Sequence, residues 1–338
     1  MRALILGGSG LIGTPIARAL LAAGHDVTTL SRGDRALPDA VRPLRADRDD
    51  PASIDAALAG GLFDLAVDLL AFRGADVERL FAVPGLRIAR YVVISSGQVY
   101  LVASEPTPPF SEQDAVKPLA PEPAPGTRDH ANWVYGAGKR EVERATRDVA
   151  ARRGVSATIL RLPVVQGAGD GTRRLWSYLQ RMQDGGPLLL PGGGEDPVRF
   201  VWAEDVGRAV ATLAAREAPP ADAYNLSQPD EPALRAFLVR AARLLDVTPR
   251  FAACGWEDVA AAGLEPSFSP FSGPWCSRPD SSLAQRDWGF ACTPSERWLP
   301  EVVAAHLAEP DPAPHPGYAR RALELALASR LIAAPGAA

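Results

Sequence analysis

Four glycines in seven residues, GGSGLIG at 7–13, lie directly between the apolar run of residues 2–6 and a helical pattern, LIGTPIARALLAAG. A strand that turns into a helix this abruptly needs residues without a Cβ, and the turn leaves the first helical N–H groups pointing outward, where they suit an anion. At the head of a βαβ unit, such glycines also let a pyrophosphate approach the backbone. Gly7, Gly10, Leu11, Ile12 and Gly13 are therefore candidate dinucleotide contacts. The alternative is a plain strand-to-helix turn.

Short Val/Ile/Leu-rich runs then alternate with longer helical patterns, the signature of a buried parallel sheet. Strands are expected at residues 2–6, 26–30, 41–45, 64–69, 90–95 and 156–162, with helices in most of the gaps. Residues 101–131 hold seven prolines and little periodicity, which predicts a long ordered loop or lid leaving the carboxyl end of a strand. After Gly167 the pattern breaks into short pieces. The expected architecture is α/β: a doubly wound parallel sheet over residues 1–165, rejoined near 198–228, and a smaller α+β substrate region over 166–308. Residues 309–338 read as a Pro-rich linker and a helix in which Leu323, Leu325, Leu327, Leu331 and Ile332 form an apolar stripe. That helix either docks on its own subunit or contacts a second copy in a homodimer.

The second expected strand ends in TTLSRGDR, without the acidic residue that would hold an unmodified ribose. Ser31 and Arg32 offer a hydroxyl and a guanidinium instead, which suits a 2′-phosphate, so NADP is expected over NAD. Asp47, after the third strand, either accepts from the adenine amino group or forms a turn before Arg48, the next candidate contact. Tyr135 and Lys139 stand four apart in NWVYGAGKREVERA, on one face of a helix. A phenol with an ordinary pKa near 10 needs a neighbouring cation to exchange its proton near neutrality, and the lysine supplies one. Gly136 and Gly138, between them, point to close approach by a ligand or to a frayed first turn. Ser95 and Ser96 close the fifth strand, where a hydroxyl can donate to a carbonyl oxygen as charge develops on it. Each feature alone is commonplace; their order on one sheet makes them a joint signal.

GGSGLIG, ISSGQVY, YGAGK and RLPVVQG resemble motifs of the extended short-chain dehydrogenase/reductases, the NAD-dependent epimerase/dehydratase family, over roughly residues 1–305. The resemblance implies a Rossmann fold, with Ser96 as the catalytic hydroxyl, Tyr135 as the general acid/base and Lys139 on the nicotinamide ribose. It further implies that Pro163, Val164 and Val165 run along the nicotinamide and that Leu69, Leu70 and Ala71 cover the adenosine side. Gln98 stands where sugar-nucleotide dehydratases of the family carry an acid, and an amide cannot transfer that proton. Val164 replaces the Asn of UDP-galactose 4-epimerase-like members, and SPFSGPWCSRPDSS lacks their diphosphate-gripping Arg. VDLLAF and PVRFVWAEDV are similar to the branch that includes chloroplast stem-loop binding proteins, whose Tyr/Lys pattern differs from this one.

The expected activity is that of an NADP(H)-preferring dehydrogenase or reductase acting on a carbonyl or hydroxyl group of a small molecule without a diphosphate. Gln98, Trp133, Val164, Trp176 and Trp202 are candidate substrate contacts, and Phe268, Phe271 and Trp275 add aromatic surface, much of it for packing. An epimerase that retains its cofactor is the first alternative; a cofactor-sensing or RNA-binding relative without catalysis is the second. With 36 basic and 40 acidic residues the net charge is −4, which predicts no pull toward nucleic acid or anionic membrane. The three cysteines, Cys254, Cys276 and Cys292, fit neither a disulfide framework nor a metal site, and no metal is expected. Glycines interrupt the N-terminal apolar run, so neither a signal sequence nor a membrane span is expected there, and the cytoplasm is the expected compartment.

Overall fold

The computed structural model describes residues 1–33, 35–216, 219–309 and 313–333. The chain forms two compact units. Met1–Gln166, Phe200–Pro229 and Ser277–Thr293 make the first; Gly167–Arg199, Asp230–Cys276 and the chain from Pro294 onward make the second. Residues 277–293, placed by the sequence reading with the substrate region, thus belong to the first unit.

In chain order the first stretch gives β1 (Arg2–Leu6), α1 (Gly13–Ala22), β2 (Asp26–Ser31), β3 (Arg42–Arg45), α2 (Pro51–Leu58) and β4 (Leu62–Asp68). It continues with α3 (Gly74–Ala82), β5 (Arg87–Ser96), α4 (Gln98–Leu101), α5 (Arg128–Arg153), β6 (Ser156–Leu162) and β7 (Val164–Gln166). Then follow α6 (Arg174–Gln183) and β8 (Leu188–Pro191) of the second unit, and β9 (Phe200–Trp202), α7 (Ala203–Ala214) and β10 (Ala223–Asn225) of the first. The second unit resumes with α8 (Leu234–Arg243), β11 (Phe251–Cys254) and α9 (Trp256–Ala261). The first is completed by α10 (Ser282–Trp288), and the second by α11 (Ser295–Leu307) and α12 (Arg321–Ala333).

Seven strands pair in parallel in the order β3-β2-β1-β4-β5-β6-β10. The order reverses between β1 and β4, and at such a switch point the loops leaving the strands diverge and open a crevice. Leu4, Ile5, Val67, Val93 and Leu160 are fully or almost fully buried, as expected for strands covered by helices on both faces. Gly207 on α7 is needed for that covering, because a Cβ there would meet the Pro15 carbonyl oxygen of α1 at 2.7 Å.

The expected loop at 101–131 is shorter and less free than its prolines suggest. Thr127 accepts from the His130 N–H at 3.1 Å and caps α5, which therefore starts at Arg128. Before it, bridges join Ala103 to Leu119 and Phe110 to Pro279, and Phe110 stacks on Tyr100 with centroids 4.9 Å apart.

In the second unit β8 and β11 pair in parallel. Tyr178 stacks on Phe271 at 5.3 Å, and Phe237 and Trp298 are buried close by. The C-terminal helix docks within its own unit through a charged seam. Arg181 makes a bidentate pair with Glu324 at 2.8 and 2.6 Å, and Arg321 binds both Asp184 and Glu324. Its buried face is Arg321, Glu324, Leu327 and Ala328, whereas Leu323 and Ile332 are exposed. The expected five-residue stripe does not form, because steps of 2, 2, 4 and 1 residues between those positions carry them around the helix rather than along one face.

One polar knot ties the first unit together. Arg161 on β6 grips Glu143 on α5 at 2.8 and 2.6 Å, both side chains buried, while Ser95 on β5 donates to the same carboxylate at 2.7 Å. The guanidinium also donates to the Tyr100 hydroxyl at 2.9 Å and the Glu112 carbonyl at 2.8 Å, which fixes the loop before α5. Removing one charge of such a pair strands the other, at a cost of about 3–5 kcal/mol, whereas removing both costs much less. Glu143→Met should therefore lower the urea unfolding midpoint more than Glu143→Met combined with Arg161→Met. Additive losses would show that the two charges do not act as a pair.

Candidate functional site

A cleft of about 640 Å³ opens at the carboxyl ends of β1, β2, β3 and β4. Of the residues singled out from sequence, Gly7, Gly10, Ser31, Arg32, Asp47, Arg48 and Leu70 all line it. The glycines divide by what requires them. Gly7 has φ +94°, and a Cβ on Gly8 or Gly13 would clash with Thr29 or with the Gly7 carbonyl oxygen. Gly10 is different: a Cβ there would meet nothing closer than 3.9 Å, so the chain's own packing does not demand a glycine. It faces the cleft beside the start of α1, and close approach by a phosphate is what would demand one. Leu11, Ile12 and Leu69 pack partly buried against the core, and Ala71 is fully buried.

At the end of β2 the Ser31 hydroxyl accepts from the Gly33 N–H at 3.3 Å, and exposed Arg32 and Arg35 flank it in the cleft. Asp47 Oδ1 accepts from the Asp49 N–H at 3.0 Å, so the residue both shapes the turn and lines the cleft. Arg48 has a structural commitment that its sequence position does not reveal. It donates to Asp68 and to the Asp76 carbonyl oxygen, each at 2.8 Å. Fully buried Asp68 also accepts from Tyr91 Oη and from the N–H groups of Leu70 and Ala71. One carboxylate thus fixes the turn after β4. The same turn brings Phe72 and Arg73 into the cleft and α3 adds Asp76; the sequence reading passed over all three, although Phe72 and Arg73 directly follow the strand-end segment it named. Arg35, only three residues beyond Arg32, was likewise legible and missed.

The serine pair separates by strand alternation. Ser95 points into the Arg161–Glu143 knot, while half-buried Ser96 accepts from the Gln98 N–H at 3.2 Å on the opposite face of β5. Lys139 on α5 is 3% exposed, and its ammonium donates to the carbonyl oxygens of Ala71 at 2.7 Å and Ile94 at 3.0 Å. Burial pushes its pKa down to about 8. The Tyr135 ring, more than a third exposed, has its centroid 5.9 Å from that nitrogen. The glycines between them serve the fold: a Cβ on Gly136 would meet Val102 Cγ1 at 2.5 Å, and one on Gly138 the Phe72 carbonyl oxygen at 2.5 Å. Neither a ligand nor fraying is needed to explain them, since α5 begins a full two turns earlier and the chain's own backbone makes the close approach.

The expected substrate residues are more dispersed. Gln98 opens α4, the Trp133 indole donates to the Ala120 carbonyl at 3.1 Å, and Val164 is half-buried on β7, as Pro163 and Val165 are buried beside it. Trp202 ends β9 under the Arg208 guanidinium, 5.7 Å away. Trp176 lies inside the second unit, stacked on His306 at 6.2 Å, and Phe268 and Phe271 are buried there too. Among the described residues no helix is long and apolar enough to cross a membrane, no group of three or more acidic, His or Cys side chains could hold a metal, and no disulfide joins the three cysteines.

The fold is shared with UDP-N-acetylglucosamine 4-epimerase from Bacillus cereus, at 15% identity and a TM-score of 0.69 over 92% of this chain and 98% of that one. In sequence the chain is 32% identical over 224 residues to 2′-dehydrokanamycin reductase of Streptomyces kanamyceticus, covering 64% of this chain but only 59% of that protein. It is 30% identical over 270 residues to 3-diazoavenalumate denitrifying reductase of a Streptomyces species, covering 74% and 83% of the two chains. Residues 3–227, which hold the glycine turn, the end of β5, the Tyr135/Lys139 pair and β7, match the NAD dependent epimerase/dehydratase family, and the chain belongs to it.

Proposed function

We propose that this protein is an NADP(H)-preferring reductase or dehydrogenase that interconverts a carbonyl and a hydroxyl on a small molecule, with Tyr135, Lys139 and Ser96 as its catalytic groups. The observation that carries the reading is the placement of Lys139: a buried ammonium, held by two carbonyl oxygens, within 6 Å of the Tyr135 ring. A nicotinamide, when bound, supplies or accepts the hydride. The chain's part is the proton and the oxygen. Tyr135 gives a proton to the oxygen that becomes a hydroxyl, the lysine charge stabilises the phenolate left behind, and the Ser96 hydroxyl donates to the same oxygen as its charge grows.

Gly10, open to the cleft, fits a pyrophosphate at the start of α1, and Ser31, Arg32 and Arg35 form a cationic corner suited to a 2′-phosphate. Two relatives named as reductases support reduction. Val164 in place of an amide, and the absence of an Arg ahead of Arg278 in its segment, favour a substrate without a diphosphate.

Tyr135→Phe should abolish turnover and leave cofactor affinity nearly unchanged, as read by steady-state kinetics beside a binding titration; wild-type turnover would remove the tyrosine from the mechanism. Arg32→Ala should weaken NADP by about 1.5–3 kcal/mol and NAD much less, measured by calorimetric titration. Equal losses would make Arg32 a bystander.

The burial of Lys139 has its own signature in stability. Its folded pKa of about 8 lies below the ordinary lysine value in the unfolded chain, so the unfolded state holds more protons between roughly pH 8 and 10.4. Stability therefore rises with pH across that window. Relative to Lys139→Met, the wild type should gain roughly 3 kcal/mol from pH 7 to pH 10.5 in denaturant titrations, and a flat difference would mean that the ammonium is solvated.

A further inference from the structure

Lys139, assigned a cofactor contact in the proposed function, is closed to solvent. Two of its three N–H bonds end on the Ala71 and Ile94 carbonyl oxygens, and the rings of Phe72 and Tyr135 lie over the nitrogen, with centroids at 4.8 and 5.9 Å. Phe72 is the nearer ring and the freer one. The residue is 49% exposed and lines the cleft. Its backbone, by contrast, is fixed on both sides. The Phe72 N–H donates to Asp76 Oδ2 at 2.9 Å, and its carbonyl oxygen lies so near Gly138 that a Cβ there would approach to 2.5 Å. Rotation of the side chain is the motion left to this residue, and it is resisted by the contact between ring and ammonium and by a tilted contact with the Tyr135 ring, centroids 6.3 Å apart.

We propose that Phe72 is the cover of Lys139: its ring closes over the ammonium, and it must turn aside for a hydroxyl-bearing ligand such as a nicotinamide ribose to take the third N–H bond. This rests on the reading of Lys139 as a cofactor contact. The cover keeps the ammonium dry beside Tyr135 and makes cofactor engagement depend on a side-chain rotation, so the apparent affinity is reduced by the fraction of time the ring is closed.

The chain has lysine only at positions 117 and 139, and Lys117 is partly exposed and paired with Asp114, so amine acylation read by peptide mass spectrometry has a built-in reference. Labelling the full chain across a pH series separates the limiting reactivity of the free amine from its titration. In Phe72→Ala the limiting reactivity of Lys139 relative to Lys117 should rise about tenfold, in Phe72→Leu less, and in Phe72→Trp it should not rise. Wild-type reactivity in Phe72→Ala, or in Phe72→Leu if the alanine variant does not fold, would overturn the proposal. Added NADP should protect Lys139 in the wild type and in the opened variant. Increased labelling without that protection would support the cover and overturn the cofactor role of Lys139.

Discussion

The Lys139 ammonium, the Arg161 guanidinium and the carboxylates of Asp68, Glu143 and Asp205 are buried in the first unit, and each is tolerable there only because its partners are held in place. The Arg161–Glu143 pair is the constraint on which the others depend. Its bidentate contact joins β6 to α5, Ser95 joins β5 to the same carboxylate, and Tyr100 and Glu112 join the loop that precedes the helix. A buried ion pair of this kind adds little net stability over an apolar substitute, but it enforces geometry, since any slip of α5 leaves a charge unpaired in a dry environment. That helix carries Tyr135 and Lys139. Their height above the sheet is therefore fixed by a contact one turn further along the helix at residue 143, and by Gly136 and Gly138, which let it sit closely against α4 and the turn after β4.

A second knot does the same for the turn after β4. Asp68 gathers Arg48, Tyr91 and two backbone N–H groups, and so shapes the turn that presents the Ala71 carbonyl to Lys139 and the Phe72 ring above it. The two knots meet at Lys139, whose acceptors come from the ends of β4 and β5. Burial lowers the pKa of this ammonium, while the Asp68 and Glu143 carboxylates of the two knots act against that shift and Arg48 adds to it.

Much of this was legible in the sequence. Strand β6 ends where the apolar run ends, and the glycine turn, the Ser31/Arg32 corner and the i, i+4 pair sit where period and position place them. What was not legible is long-range. The start of β5 at Arg87 is hidden by two arginines in the strand, one of which, Arg90, donates to the Ala214 carbonyl far along the chain. Strand alternation says that Ser95 and Ser96 face opposite ways, but only Glu143, 48 residues on, decides which faces inward. Arg48 lines the cleft as expected, but its pairing with Asp68, 20 residues on, has no local signature; the glycines of α5 read as space for a ligand or as a frayed turn because the backbone filling that space comes from Gln98 and Phe72. The cover over Lys139 has no local signature at all.

In the function proposed, hydride leaves a nicotinamide for a substrate carbonyl while this chain manages the proton. This is tested most directly by presenting the purified protein with NADPH deuterated at the transferable position and a panel of ketones, and following the label by mass spectrometry. Deuterium should appear on the carbinol carbon of a product, with one oxidised cofactor released per product formed. Inversion of a hydroxyl centre with the label retained by bound cofactor, or no transfer to any carbonyl compound despite cofactor binding, would contradict it.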